Sequence, residues 1–252
     1  MTATRQDRPR DARVRLFVEA RLDTDRSIGL TAAQAHYLGN VMRLRAGARV
    51  LVFNGRDGEW CARVDGIGKG WCSLAVEAAV RPQVEESDLW LVFAPLKRAR
   101  LDFLAQHATE LGVSALWPVF TRRTAVRRVN LARLEANAVE AAEQSRRLTV
   151  PEVFAPVPLS AMLARWPEGR RLFLCDESGA APPVAEVLAA TETAAAALLI
   201  GPEGGFAAAE LDGLRKLPFV SAVGLGPRIL RAETAAMAAL ACWQALAGAW
   251  RR

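Results

Sequence analysis

The 252-residue chain contains no apolar run of the ~20 residues that crossing a bilayer requires. Its first residues, MTATRQDRPRDARVR, are charged and lack an apolar segment, which reads as a short disordered tail over residues 1–12 rather than a secretory signal. Cysteine and histidine are scarce. Cys61, Cys72, Cys175 and Cys242 form no C-x-x-C pair, and His36 and His107 are too few and too distant for a zinc set. The expectation is a cytoplasmic protein with reduced thiols, no metal and no membrane association. Both common phosphate cradles are missing as well. No G-x-x-x-x-G-K-[ST] and no G-x-G-x-x-G occurs anywhere in the chain.

Lysine is nearly absent, yet the chain is basic: 30 of its 33 cationic side chains are Arg, and the net charge is +6. The excess is uneven. Residues 97–147 hold ten basic against five acidic side chains, whereas residues 148–252 are slightly acidic. Basic surface of this kind suits a polyanion such as RNA.

Two regimes of patterning follow one another. Strand candidates at Arg13–Glu19, Ala48–Asn54, Glu59–Gly66 and Gly70–Val80 surround a short helix that Thr31 is suited to cap. Asn54-Gly55-Arg56-Asp57-Gly58 is a hairpin signal. These elements predict a small β-barrel over residues 13–82. The polar stretch RPQVEESD at 81–88 marks a boundary. From residue 88 to 252 strands and helices alternate, which predicts an α/β fold with a parallel sheet and a ligand at the strand carboxyl ends. The final helix, Arg231–Trp250, is apolar nearly all round and suits either a core position or a dimer seam.

Two of the predicted strands end in glycine-proline turns. LLIGPEGGF follows strand 195–200, and LGPRILRAET follows strand 220–225. Glycines at this density let backbone N–H and C=O groups approach a ligand closely. Glu203 in the first loop repels phosphate but tolerates a cation or a hydroxyl-bearing sugar. Arg231 stands at a helix start, where the dipole disfavours a cation, and Glu233 stands where it favours an anion. If the two strands are neighbours, both loops line one crevice.

LLIGPEGGF followed by LGPRILRAETAAMAAL resembles the cofactor-binding pair of SPOUT-class RNA methyltransferases, and within them the RNA small subunit methyltransferase E (RsmE) family. HYLGNVMRLRAG (36–47), Phe53-Asn-Gly, Pro95-Leu-Lys97, TELGV (109–113) and AAEQSR (141–146) extend the resemblance along nearly the whole chain. It implies a PUA-like barrel followed by a SPOUT domain with a C-terminal trefoil knot. It further implies a homodimer, S-adenosylmethionine as donor, and methylation of N3 of a specific uridine in 16S ribosomal RNA of the small subunit. The cofactor would then be held by Leu199, Ile200, Gly201, Glu203, Gly205, Leu225, Gly226, Ile229 and Leu230. The chemistry assigns Glu233 as base for the uridine imide proton and Arg231 as stabiliser of the anion. RNA contacts are expected from Arg15, Arg43, Arg45, Lys97, Arg98, Arg122 and Arg123. A ribose 2′-O methyltransferase of the same class, and a non-catalytic ribosome-assembly factor, are the rival readings.

Overall fold

The computed structural model describes residues 12, 14–191 and 193–251. The tail expected over residues 1–12 therefore lies, except for Ala12, outside the described residues. Two compact units are present. The first takes the described residues up to Glu85 together with Ala142–Thr149; the second takes Glu86–Ala141 and the residues from Val150 onward.

In the first unit the strands are β1 (Arg15–Phe17), β2 (Ser27–Gly29), β3 (Arg49–Phe53), β4 (Glu59–Gly68) and β5 (Trp71–Arg81), with helix α1 (Ala32–His36) continuing into a π-helical turn at Tyr37–Val41. The sheet order is β1-β3-β4-β5-β2. The β1–β3 pair is parallel and the other ladders are antiparallel. Val50, Val52, Val64, Leu74 and Val76 alternate along these strands and meet Leu16 and Leu38 in one core. Thr31 caps α1 as its residue type suggests, its hydroxyl accepting from Gln34 N at 3.2 Å while the Gln34 side chain accepts from Thr31 N at 3.1 Å. At the 54–58 turn the Asn54 side-chain oxygen accepts from the N–H groups of Arg56 and Asp57.

The second unit runs β6 (Asp88–Phe93), α2 (Arg98–Glu110), β7 (Ala115–Phe120), α3 (Leu131–Ser145), β8 (Glu152–Val153), β9 (Val157–Pro158), α4 (Leu159–Leu163), β10 (Arg171–Cys175), α5 (Val184–Ala189), β11 (Ala195–Ile200), α6 (Ala208–Arg215), β12 (Val220–Val223) and α7 (Ala232–Leu246). Its main sheet is ordered β12-β10-β11-β6-β7-β8, and every ladder in it is parallel. Side chains alternate across it. Leu89, Leu91, Phe93, Ala196, Leu198 and Ile200 pack with α2, α5 and α7, whereas Val92, Ala197, Leu199, Leu172 and Leu174 face α4 and α6. The two glycine-bearing strands are not neighbours: β10 lies between β11 and β12. The end of α2 is closed by α7, where the buried Gln244 donates to the Leu111 carbonyl at 2.7 Å, beside Gly112 at φ +84.

Arg15 is a structural residue, and its burial removes it from the RNA-contacting set. Its Nε donates to Glu59 at 2.5 Å and its Nη1 to the Ala142 carbonyl in the last turn of α3 at 2.6 Å; a further bond reaches the Arg147 carbonyl. Arg81 Nε donates to the other oxygen of Glu59 at 2.9 Å. The cations thus satisfy helix-end carbonyls that have no intrahelical donor. Periodicity along the chain carries no sign that Ala142–Thr149 joins this unit. Burial pushes the Glu59 carboxyl up, but the guanidiniums of Arg81 and Arg15 outweigh it and hold the group below the ordinary carboxylate range.

Because Glu59 is fully buried, Glu59→Ala strands two cations and is expected to cost about 3–5 kcal/mol by chemical denaturation. The folded pKa is depressed, so the wild-type contribution is complete above the ordinary Glu pKa and is lost as pH falls from there through the lower folded value. Stability curves of the wild type and the variant should therefore converge in acid; parallel curves would remove Glu59 from this role.

Candidate functional site

Three strand ends converge at one side of the second unit. β10 leads from Cys175 into Asp176-Glu177-Ser178, β11 from Ile200 into GPEGG, and β12 into Gly224–Leu230. With Lys97 and Arg100 from the start of α2 and Arg231, Ala232 and Ala235 from that of α7, they enclose a cavity of about 770 Å³. That is ample for a nucleoside-sized ligand. Parallel sheets generally bind ligands at these ends, because the loops there are free of the crossover helices' packing.

Backbone dominates the wall. Gly205 donates to the Pro202 carbonyl at 2.8 Å and holds φ at +67°; a Cβ there would stand 2.1 Å from a Glu177 carboxylate oxygen. A Cβ on Gly201 would meet the Phe206 ring at 2.7 Å. Position 205 needs glycine for its positive φ, and position 201 for the space that the ring takes. Gly224 leaves the β12 ladder, so the strand predicted to reach Leu225 ends at Val223. Its N–H donates to the Pro182 carbonyl at 2.8 Å, and its carbonyl accepts from Val184 N at 3.0 Å. These bonds tie the third loop to the first.

The acids of the cavity are largely compensated. Asp176 Oδ1 accepts from Ser178 N at 2.8 Å and Oδ2 from Arg215 Nε at 3.1 Å. Burial raises the Asp176 carboxyl, but Ser178 and Arg215 outweigh it and hold it below the ordinary range. Glu203 pairs with Arg100, whose Nε also lies 3.5 Å from Glu233 Oε1. Glu233 Oε2 is buried with no hydrogen-bond partner. Arg231, at the N-cap of α7, has no acidic partner among the described residues. Burial and, to a lesser degree, Cys242 push the Cys175 thiol up to about 12, so it stays protonated and is no nucleophile at neutral pH.

Of the residues singled out from sequence, Ile200, Gly201, Glu203, Gly205, Leu225, Gly226, Ile229, Leu230, Arg231 and Lys97 line the cavity. Leu199 does not, because strand alternation turns its side chain into the core on the opposite face of the sheet. Glu233 is off the wall and connects to it through Arg100. Arg98, Arg122 and Arg123 are exposed on the second unit; Arg123 donates to the Gly204 carbonyl at 3.0 Å, which brings it to the GPEGG loop. Arg43 and Arg45 are exposed on the first unit. Sequence reasoning missed Arg100, Asp176, Glu177, Ser178 and Phe206. The available signal was DESGAAPP, a Gly/Pro-rich turn directly after strand 171–175, which repeats the arrangement of the other two loops.

A family model described as an RNA methyltransferase domain matches residues 84–244, and one described as an RNA methyltransferase PUA domain matches residues 30–76. The ribosomal RNA small subunit methyltransferase E of Rickettsia conorii is 31% identical over 228 residues, covering 90% of this chain and 93% of the relative. That of Synechocystis is 33% identical over 237 residues, covering 92% and 77%. A crystal structure of ribosomal RNA small subunit methyltransferase E from Neisseria gonorrhoeae bound to S-adenosyl methionine superimposes with a TM-score of 0.83 at 29% identity, covering 92% of this chain and 97% of that one.

The charge-assisted bonds of Asp176 shape the first loop. Asp176→Ala is expected to cost about 1.5–3 kcal/mol in chemical denaturation, the range for hydrogen bonds to a charged group. An unchanged denaturation midpoint would show that the loop does not depend on it.

Proposed function

Since the chain belongs to the RNA methyltransferase family whose domain spans residues 84–244, with that family's PUA domain before it, we propose that it methylates N3 of a specific uridine in 16S ribosomal RNA of the small ribosomal subunit, with S-adenosylmethionine as donor. The observation that carries this reading is that the two loops on which the sequence resembles the family, LIGPEGG and LGPRILRAET, wall the cavity described above. The alternatives of ribose 2′-O chemistry and a non-catalytic assembly factor gain no comparable support.

The wall residues fit the cofactor. Its adenosine has no phosphate, in keeping with a wall of glycine backbone that lacks a phosphate cradle. Ile200, Leu225 and Leu230 offer apolar contact to a ring, while the N–H and C=O groups of the loops offer hydrogen bonds to its edges. When bound, S-adenosylmethionine supplies an electrophilic methyl group on a cationic sulfonium. The remaining work falls to side chains of this chain. N3 of uridine carries an imide proton that must leave; Glu233, which lies behind the wall against Arg100 and whose Oε2 has no donor among the described residues, is the base assigned to it. Arg231, exposed at the helix start and without an acidic partner among the described residues, is assigned to stabilise the uridine anion. Arg100 holds Glu203 and Glu233 in place. Lys97, Arg98, Arg122 and Arg123 are assigned to phosphates, which position the RNA, and the target base must be unstacked to reach the cavity.

The wider reading is a SPOUT methyltransferase with a C-terminal trefoil knot, acting as a cytoplasmic homodimer. The bonds that lace Gly224 to Pro182 and Val184 support a tightly interwoven C-terminal segment. The dimer is supported by an exposed aromatic side chain on α2, Phe103, which stacks on the half-buried His107 with ring centroids 3.9 Å apart. Among the described residues no helix is long and apolar enough to cross a membrane.

Deleting the gene and analysing small-subunit RNA nucleosides by mass spectrometry should abolish one 3-methyluridine; an unchanged level defeats the reading. In the purified protein, Glu233→Gln and Arg231→Ala are expected to lower kcat about 100-fold or more, the usual scale for an acid–base or anion-stabilising group. Calorimetric affinity for S-adenosylmethionine should change less than about threefold, since neither residue is assigned to cofactor binding. Normal turnover in both variants removes them from the mechanism.

A further inference from the structure

The hairpin of β4 and β5 carries an exposed tryptophan that the reaction does not use. Trp71, 54% exposed, pairs across the hairpin with Gly68, two residues from Gly66 on the same strand. A Cβ on Gly66 would stand 2.8 Å from Trp71 Cη2, and one on Gly68 would stand 2.3 Å from its Nε1. Both rings of the indole therefore lie along the strand backbone, in space that exists only because these two residues have no side chain. One face of the indole is braced by the strand. The exposed surface is the other face, a large apolar area left in water.

A cation adjoins the indole. Lys69 sits in the two-residue turn beside Trp71, and Gly70 there holds φ at +76°. Lys69 is exposed and has no acidic partner among the described residues, whereas Arg49 and Arg63 on the same sheet are both paired with Glu77. A rigid aromatic face beside an unneutralised cation matches the two requirements of single-stranded nucleic-acid binding, stacking for the base and charge for the phosphate.

We propose that Trp71 is a stacking platform for an unpaired base of the RNA substrate, with Lys69 contacting an adjoining phosphate. The proposal rests on the RNA-methylating reading and adds a contact within the first unit. Its chemistry tolerates any base, because each presents a π face, so the platform strengthens docking while uridine selection stays with the cavity.

The test is steady-state methylation of small ribosomal subunits purified from a strain lacking the modification, comparing wild type, Trp71→Ala, Trp71→Leu and Trp71→Phe. Thermal melting and cofactor calorimetry on each variant report folding and the cavity. Loss of a base–aromatic stack should raise KM for the subunit about 5- to 100-fold in Trp71→Ala and Trp71→Leu, with kcat and cofactor affinity near wild type. Trp71→Phe should recover most of the loss. An unchanged KM in Trp71→Ala overturns the proposal, as does Trp71→Leu performing as well as Trp71→Phe, since apolar area alone would then suffice. A change of sedimenting mass confined to the variants would assign Trp71 to a contact between copies instead. If the wild type neither methylates nor binds subunits, the function reading falls and the platform with it; variants equal to an active wild type defeat the platform alone.

Discussion

Parallel pairing of β10 with β11 on one edge and β12 on the other points three carboxyl ends the same way. The loops that leave them cannot disperse, because each strand's hydrogen bonds hold its end within a strand spacing of the next. The cavity is the space among those loops, and glycine keeps its wall close to backbone: Gly205 lies under the Glu177 carboxylate, Gly201 leaves room for the Phe206 ring of its own loop, and Gly224 stands against the Ala181 carbonyl. A side chain at Gly224 would push the β12 loop away from the β10 loop. The bonds from Gly224 to Pro182 and Val184 then lace the β12 loop to the β10 loop.

Electrostatics within that frame divides the acids from the cations. Asp176 is bound by Arg215 and Ser178, while Glu203 and Glu233 share Arg100. Fixed carboxylates of this kind shape the loops and add little net charge. Arg231, Arg228 and Lys97 remain on the wall without acidic partners among the described residues, and Glu177 without a basic one, so the field that a ligand meets is set largely by these four. The same division recurs in the first unit. Arg15 and Arg81 are spent on the buried Glu59 and on helix-end carbonyls, whereas Arg43, Arg45 and Lys69 face solvent. Charge totals alone cannot separate these uses of arginine; burial does.

The alternation of polar and apolar residues, and the glycine-proline punctuation, determined much by themselves. Strand 195–200 occurs with the bounds that its apolar run suggests, and Thr31 caps its helix through local bonds. Such features depend on neighbours a few residues away. The glycine loops were legible for the same reason, as was their resemblance to those of RNA methyltransferases. Tertiary structure alone decided that β10 intervenes between the two glycine-bearing strands, and that Asp176, Glu177 and Arg100 join the wall. It also decided that Leu199 turns into the core, that Arg15 is buried beneath residues 142–147, and that Trp71 lies flat on Gly66 and Gly68. Each of these is a contact between residues distant in sequence or across a ladder register. Strand order and register are selected by which apolar faces can be buried together, a property of the whole sheet that no local stretch of sequence contains.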